Sequence, residues 1–208
     1  MTFASRARRE LLTIWHAAFW KQDVTKSIIE SGLTDGTQLH GVRVESLVSH
    51  RDERGVFTEI FSSAWDAGIR PAQWSVVGSN KDVFRGMHLH RRHDEYFLLI
   101  KGRACVGLHD LRTASPTAAC WSVYELSGAQ LTFLSFPPGI VHGWYFYEDA
   151  IHVQAVSESY DSYRDDDNLG CRWDDPELGI KWPFDAPVLS EEAAQFPSLR
   201  ELRQKAGF

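Results

Sequence analysis

The side chains most able to do chemistry lie in one short stretch, residues 86–95. His88 and His90 are two positions apart, so on a β-strand both rings point to the same face. Glu95 follows after a charged turn that can reverse the chain and bring its carboxylate beside them. Further on, the turn at 137–139 begins a segment that carries a third imidazole, His142.

Three imidazoles and one carboxylate facing inward form a nitrogen and oxygen ligand set. Such a set suits Fe, Mn, Ni, Zn or Co as a divalent ion and leaves room for water or substrate. We therefore predict a metal site made of His88, His90, Glu95 and His142, with catalytic roles for His88, Glu95 and His142. His93 is predicted to lie at the surface in the turn.

The elements that must position these side chains are short strands. Residues 41–158 alternate apolar and polar positions between Gly, Pro, Asp and Asn turns, without helical patterns between them, which predicts an antiparallel sandwich or barrel. The strands are predicted at 41–47, 56–61, 96–100, 104–108, 121–126, 131–136 and 151–156.

The two ends of the chain have a different character. Residues 1–40 are predicted to be a helical extension, with an amphipathic segment at 9–20, and 41–208 to be one domain with a tail. The tail is expected to end in a helix at 198–205, and its acidic run at 165–167 to be a solvated loop. His109 and His152 are interpreted as structural.

Composition excludes several classes of partner. With a net charge of −6, the chain has no basic field for nucleic acid or an anionic membrane. It contains no apolar run of about 18 residues that would span a bilayer. Its three cysteines are odd in number and far apart, so we expect reduced thiols and a cytoplasmic protein.

The ligand spacing, HxH followed by Glu, Gly and then PxGxxH, resembles the two cupin motifs. A longer series of blocks, covering roughly residues 42–200, is similar to the dTDP-4-dehydrorhamnose 3,5-epimerase family. The resemblance implies an all-β cupin barrel, a double-stranded β-helix, for residues 41–208. The blocks recur in order at 52–59, Gln73, 85–88, 110–117, 138–143, Tyr160, 173–176 and 182–183.

This resemblance also implies a substrate and an assembly. The family binds a deoxythymidine-diphosphate 4-keto sugar and forms homodimers without a required metal. The positions that contact nucleotide, diphosphate or sugar correspond here to Arg54, Phe57, Glu59, Gln73, Arg85 and Tyr160. Arginine forks suit a diphosphate independently of the resemblance.

The chain departs from the family at its catalytic positions. The family uses a His base oriented by an Asp, a Lys that stabilises the enolate and a Tyr that returns a proton. His88 remains, whereas Glu95, Gln154 and Ala193 stand at the Lys, Tyr and Asp positions. A metal can replace the lost Lys as a Lewis acid. If His88 is a ligand, the base must be another group, such as a metal-bound hydroxide or Glu59.

Three functions are compatible with these residues. The first is a metal-assisted epimerase or isomerase of a 4-keto-6-deoxy sugar nucleotide. The second is a metal cupin of other chemistry, a dioxygenase or lyase, and the third is a non-catalytic sugar-nucleotide-binding module. A metal assay separates the third from the others, and a nucleotide-binding assay separates the first from the second.

Overall fold

The computed structural model describes residues 32–163 and 167–208, so the predicted helical segment at 9–20 lies outside the described residues. The described chain is almost entirely strand. The strands are β1 (Leu33–Gly36), β2 (Arg43–Ser46), β3 (Ser49–Asp52), β4 (Gly55–Thr58), β5 (Gln73–Ser79), β6 (Phe84–Leu89), β7 (Glu95–Lys101), β8 (Arg103–Asp110), β9 (Trp121–Ser127), β10 (Thr132–Phe136), β11 (Ile140–Phe146), β12 (Ala150–Val156) and β13 (Leu169–Gly170). The helices are α1 (Tyr160–Tyr163) and α2 (Leu199–Ala206).

The strands form two large antiparallel sheets and one separate hairpin. The first sheet has the order β1-β9-β8-β11-β6-β13, and the second has the order β2-β10-β7-β12-β5. Strands β3 and β4 pair only with each other. Successive strands alternate between the sheets across much of this order, which is the double-stranded β-helix that the sequence predicts.

The N-terminal boundary differs from the prediction. Residues 33–36, assigned from the sequence to the helical extension, form β1 and pair with β9. The Thr34 hydroxyl donates to the carbonyl of Val123, and Gly36 has a φ of 87° beside Trp121. The positive φ at Gly36 is incompatible with a helix that continues through this residue. The pairing with β9 makes the segment the edge strand of the first sheet.

Apolar side chains fill three layers. The layer between the sheets includes Phe97, Trp144 and Phe146. The outer face of the first sheet is covered by the C-terminal segment, and the outer face of the second by residues 47–69. Both sheets are thus covered by apolar side chains over much of both faces, and buried polar residues such as Asp110 are the exceptions that need partners.

The C-terminal helix forms where the sequence predicts it. Ser198 is its N-cap, and the side chain of Glu201 accepts from the backbone of Ser198 in a capping box. Leu199 and Leu202 are fully buried against the first sheet. Neither α1 nor α2, the helices of the described ranges, has the length and apolar character needed to cross a membrane. All three cysteines are free thiols.

The block at 110–117 has a structural role. Asp110 is fully buried, and its carboxylate accepts from Arg112 Nε at 2.8 Å, Ser115 Oγ at 2.6 Å and Thr117 Oγ1 at 2.8 Å. Burial alone raises the pKa of Asp110, but these donors outweigh it and lower that pKa below its usual value. The carboxylate therefore holds the loop between β8 and β9 closed.

The Asp110→Asn variant tests this role. Because the pKa of Asp110 is lower in the folded state, its ionised carboxylate stabilises the protein above the unfolded pKa of about 4. This stabilisation is lost as the pH falls through the folded-state pKa. We expect the substitution to reduce the free energy of unfolding by about 2 kcal/mol at pH 7. The difference from the original chain should shrink below about pH 4. Urea unfolding of both proteins at several pH values measures this difference in the free energy of unfolding. The control is Asp66→Asn, which changes an exposed carboxylate. A difference that persists unchanged at low pH contradicts this account.

Candidate functional site

Several polar side chains line a cavity of about 380 Å³. Strands β6, β7 and β12 contribute His88, Glu95 and Gln154 to its wall, and the segment after β12 contributes Tyr163. Arg85, on β6, lines the same cavity. An imidazole, a carboxylate, an amide, a hydroxyl and a guanidinium thus face one space.

Strand pairing positions the imidazoles of His88 and His142. His88 on β6 lies directly opposite His142 on β11, and the pairing register shifts immediately after them. There a Cβ on Gly86 would lie 2.6 Å from the Cα of Gly143, so the two backbones approach as only glycines allow. The imidazoles are therefore held by backbone geometry.

Glu95 lies at the start of β7 and is only 2 % exposed. Its Oε2 is 3.0 Å from His142 Nε2, and its Oε1 is 3.5 Å from His90 Nε2. Gln154 Nε2 donates to Oε1 at 2.9 Å. The donor atoms of His90, Glu95 and His142 all lie within 4.8 Å of one another, which is close enough to share one ion.

The His90 and His142 rings are each hydrogen-bonded to the main chain on the side away from Glu95. His90 Nδ1 donates to the carbonyl of Asp167 at 2.5 Å, and His142 Nδ1 donates to the carbonyl of Ile140 at 3.1 Å. A carbonyl oxygen only accepts, so Nδ1 carries the proton in both rings. Both Nε2 atoms consequently point towards Glu95.

The groups around Glu95 keep its carboxylate ionised. Burial raises the pKa of Glu95, but the neighbouring imidazoles of His142 and His90 outweigh burial and hold it well below its ordinary value. Burial lowers the pKa of His90, but the carboxylate of Glu95 and the carbonyl of Asp167 outweigh it and raise that pKa. The pocket therefore favours a positive charge beside Glu95.

His88 stands apart from this group. It is not among the residues whose donor atoms share the 4.8 Å cluster, and its ring centre lies 6.0 Å from that of His142 and 6.5 Å from that of His90. The Phe196 ring meets it edge-on at 5.8 Å. Burial first, and then His142, lower its pKa to about 3. The predicted four-residue ligand set thus separates into three clustered residues and one that is not clustered.

A second polar group lies behind His90, and it corrects two predictions. His93 is 1 % exposed instead of lying at the surface, and Asp167 is fully buried instead of solvated. The Asp167 carboxylate accepts from the backbone amides of Arg91 and Arg92, at 2.8 and 3.0 Å. It is 3.4 Å from the His93 ring, so it ties the turn after β6 to the segment before β13.

Tyr163 was not singled out from the sequence. Its ring stacks on His93 at 4.3 Å between centres, and burial raises its pKa to about 12. The available signal was its spacing of three from Tyr160, which places both rings on one helical face. Asp167 offered no such signal, because the residues that it contacts lie more than seventy positions earlier.

The predicted substrate-binding residues fall in three places. Arg85 lines the cavity, and its Nε donates to Ser79 Oγ at 2.9 Å. Gln73 and Tyr160 are joined by a hydrogen bond from the Tyr160 amide, at the edge of the second sheet. The other three, Arg54, Phe57 and Glu59, are exposed residues of the β3–β4 hairpin and the segment that follows it. Within one protomer the structure does not bring the six together.

The family model for dTDP-4-dehydrorhamnose 3,5-epimerase matches residues 36–201. The chain belongs to this family. The dTDP-4-dehydrorhamnose 3,5-epimerase of Sinorhizobium fredii is 32% identical over 73% of this chain and 81% of its own length. That of Methanothermobacter thermautotrophicus is 30% identical over 79% of this chain and 93% of its own length.

Solved structures of the family have the same fold. A 4-keto-6-deoxy sugar epimerase from the novobiocin cluster of Streptomyces spheroides aligns with a TM-score of 0.74 at 27% identity, over 84% of this chain and 90% of its own. The Legionella pneumophila enzyme in complex with dTDP-4-keto-L-rhamnose aligns with a TM-score of 0.73 at 25% identity, over 82% and 94%. The cupin fold predicted from the sequence is confirmed.

The residues expected from the resemblance to depart from the epimerase family lie in one place. Glu95, Gln154 and Ala193, which the resemblance aligns with the family's Lys, Tyr and Asp, all line the cavity together with His88. Glu95 and Gln154 are hydrogen-bonded to each other. The three expected exchanges therefore fall in one cavity, which His88 also lines.

Proposed function

We propose that this chain is an isomerase that epimerises a 4-keto-6-deoxy sugar carried on dTDP. The observation that supports it best is that His88, which the sequence resemblance aligns with the family's base, lines a cavity together with Arg85. The relatives named above are epimerases of this class. A reducing compartment, the cytoplasm, suits the free thiols.

The reaction needs a base, a site that stabilises negative charge and a proton donor. Unprotonated His88 removes the proton α to the 4-keto carbon, and the electrons move onto the carbonyl oxygen as an enolate. A proton then returns to the opposite face of the same carbon. Glu95 alone opposes an enolate by like charge, so the cluster must include a cation.

His90, Glu95 and His142 would hold a divalent metal, which would supply that charge as a Lewis acid. The buried donor atoms fit such an ion: Glu95 Oε2 and His142 Nε2 are both buried and neither has a hydrogen-bond partner among the described residues. Fe, Mn, Ni, Zn and Co all accept this nitrogen and oxygen set. The Arg85 guanidinium binds diphosphate oxygens at the open side of the cavity.

Hydrogen exchange tests the isomerase. In D₂O, the metal-loaded protein should introduce deuterium at C3 or C5 of a dTDP-4-keto-6-deoxy sugar, and His88→Asn should reduce the rate at least 100-fold because the base is lost. NMR and mass spectrometry of the sugar measure it. The exposed His40→Asn is the matched control and should exchange normally.

The same assay separates the alternatives. Binding of dTDP without exchange, with or without metal, supports the binding module instead. Exchange that continues after complete metal removal shows that His88 acts without a metal, and it refutes the metal-assisted form while keeping the isomerase. Unchanged exchange in His88→Asn rejects the assignment of the base.

Tyr163 is proposed to return the proton in place of the missing family tyrosine. Gln154 has no proton to give near neutral pH, whereas the raised pKa of Tyr163 keeps its hydroxyl protonated in the cavity wall. We expect Tyr163→Phe to slow formation of the epimer about 100-fold, within the range usual for general acids. The affinity of the Tyr163→Phe protein for dTDP should stay within a few-fold of that of the original chain. Epimer formation at the original rate excludes this role.

We further propose a homodimer formed through the edge of the second sheet. Trp74 and Val76 are exposed on one face of the edge strand β5, where unpaired backbone and apolar surface favour pairing with another chain. Closed two-fold dimers are the commonest assembly. A dimer can also bring the hairpin residues Arg54, Phe57 and Glu59 to a cavity that they do not line in their own protomer.

Light scattering at micromolar concentration should give twice the 23.7 kDa chain mass. Val76→Glu should shift the protein to monomer, because it places a charge on the apolar edge. Val48→Glu is the control: Val48 is also exposed, but it follows β2 at the opposite edge of the sheet. A monomer for the unmodified chain refutes the proposal.

A further inference from the structure

We infer that the metal site has three protein ligands, His90 Nε2, Glu95 and His142 Nε2, and that His88 is excluded from it and stays free as the base. The ligand set follows from the geometry of the site alone. The role of His88 rests on the proposed function.

The first argument concerns tautomers. The proton on Nδ1 of His90 and of His142 is fixed by main-chain carbonyls, those of Asp167 and Ile140. In the neutral rings, Nε2 therefore presents a lone pair. This arrangement, with a ligand ring donating its second nitrogen to a carbonyl, is the usual support around a metal-binding histidine.

The second argument concerns charge. Two lone pairs and a carboxylate converge on one buried point, with Nε2 to oxygen distances of 3.0 and 3.5 Å. Like partial charges at this range repel unless a cation stands between them. The contact between His142 Nε2 and Glu95 Oε2 does not have hydrogen-bond geometry, and both atoms are buried. A proton is thus poorly placed to satisfy both atoms, and a larger cation is better suited.

The third argument concerns the carboxylate. Gln154 Nε2 donates to Glu95 Oε1 and fixes the orientation of the carboxylate plane. Glu95 is the single acid of the cluster, so a bound divalent ion keeps a net charge of about +1. Three protein ligands leave coordination positions open, as in catalytic sites. The centre is therefore suited to an anionic oxygen of a substrate.

The neighbouring cluster of His90, His93 and Asp167 is a weaker candidate for the same ion. His90 Nδ1 already donates to the Asp167 carbonyl, and both carboxylate oxygens of Asp167 accept backbone amides. These groups are occupied in positioning His90. We infer that Asp167 supports the ligand and does not bind the metal.

Cobalt binding to the full-length apoprotein tests the inference, with no nucleotide sugar present. Calorimetry and visible absorption should give one Co(II) per chain. His90→Ala, Glu95→Gln and His142→Ala should each weaken binding at least 100-fold, whereas His88→Ala and His93→Ala should stay within about five-fold. Circular dichroism verifies folding, and His142→Gln replaces any His142→Ala protein that does not fold.

Each other outcome overturns the inference in a recognisable way. A loss in His88→Ala equal to that in Glu95→Gln means a four-ligand site. A loss in His93→Ala with normal binding by Glu95→Gln places the ion at the second cluster, and absence of binding by the original chain removes the site. Because no sugar is used, these results are independent of the exchange assay, so a failed metal site and a failed isomerase are distinguishable.

Discussion

The arrangement of the cavity depends on one buried carboxylate. Burying Glu95 is costly unless positive charge or hydrogen-bond donors surround it. The groups around it come from different parts of the fold: His142 from the first sheet, Gln154 from the second, and His90 from the turn after β6. The electrostatic requirement of Glu95 is thus imposed where the two sheets and a loop meet, and Glu95, His90 and Gln154 also line the cavity.

Much of the fold follows from local pattern. Alternating strands between turn residues predict two antiparallel sheets, and Ser198 with Glu201 marks the start of α2 by capping chemistry. Strand β1 could not be anticipated in this way. It is four residues long, and its strand conformation comes from pairing with β9, about ninety positions later, rather than from its own periodicity.

The candidate site was predictable where side-chain direction follows from strand spacing. The spacing brings His90, Glu95 and His142 together. It cannot show that His88 lies outside their cluster, because that depends on ring positions within the barrel. It also cannot show that His93 is buried, because Asp167 and Tyr163 cover it from a segment far along the chain. Arg54, Phe57 and Glu59 are a different case, because the β3–β4 hairpin and the segment after it leave these side chains exposed.

The hydrogen bond between Glu95 and Gln154 has an evolutionary consequence. Among family members, the residues at these two positions should vary as a pair. A lineage that regained lysine at 95 while keeping Gln154 would place an ammonium between two imidazoles without recovering the tyrosine hydroxyl. A lineage that regained tyrosine first would remove the amide that orients the carboxylate. Each single reversal thus breaks the hydrogen bond between the two side chains without completing a lysine and tyrosine pair, which favours keeping both present residues together.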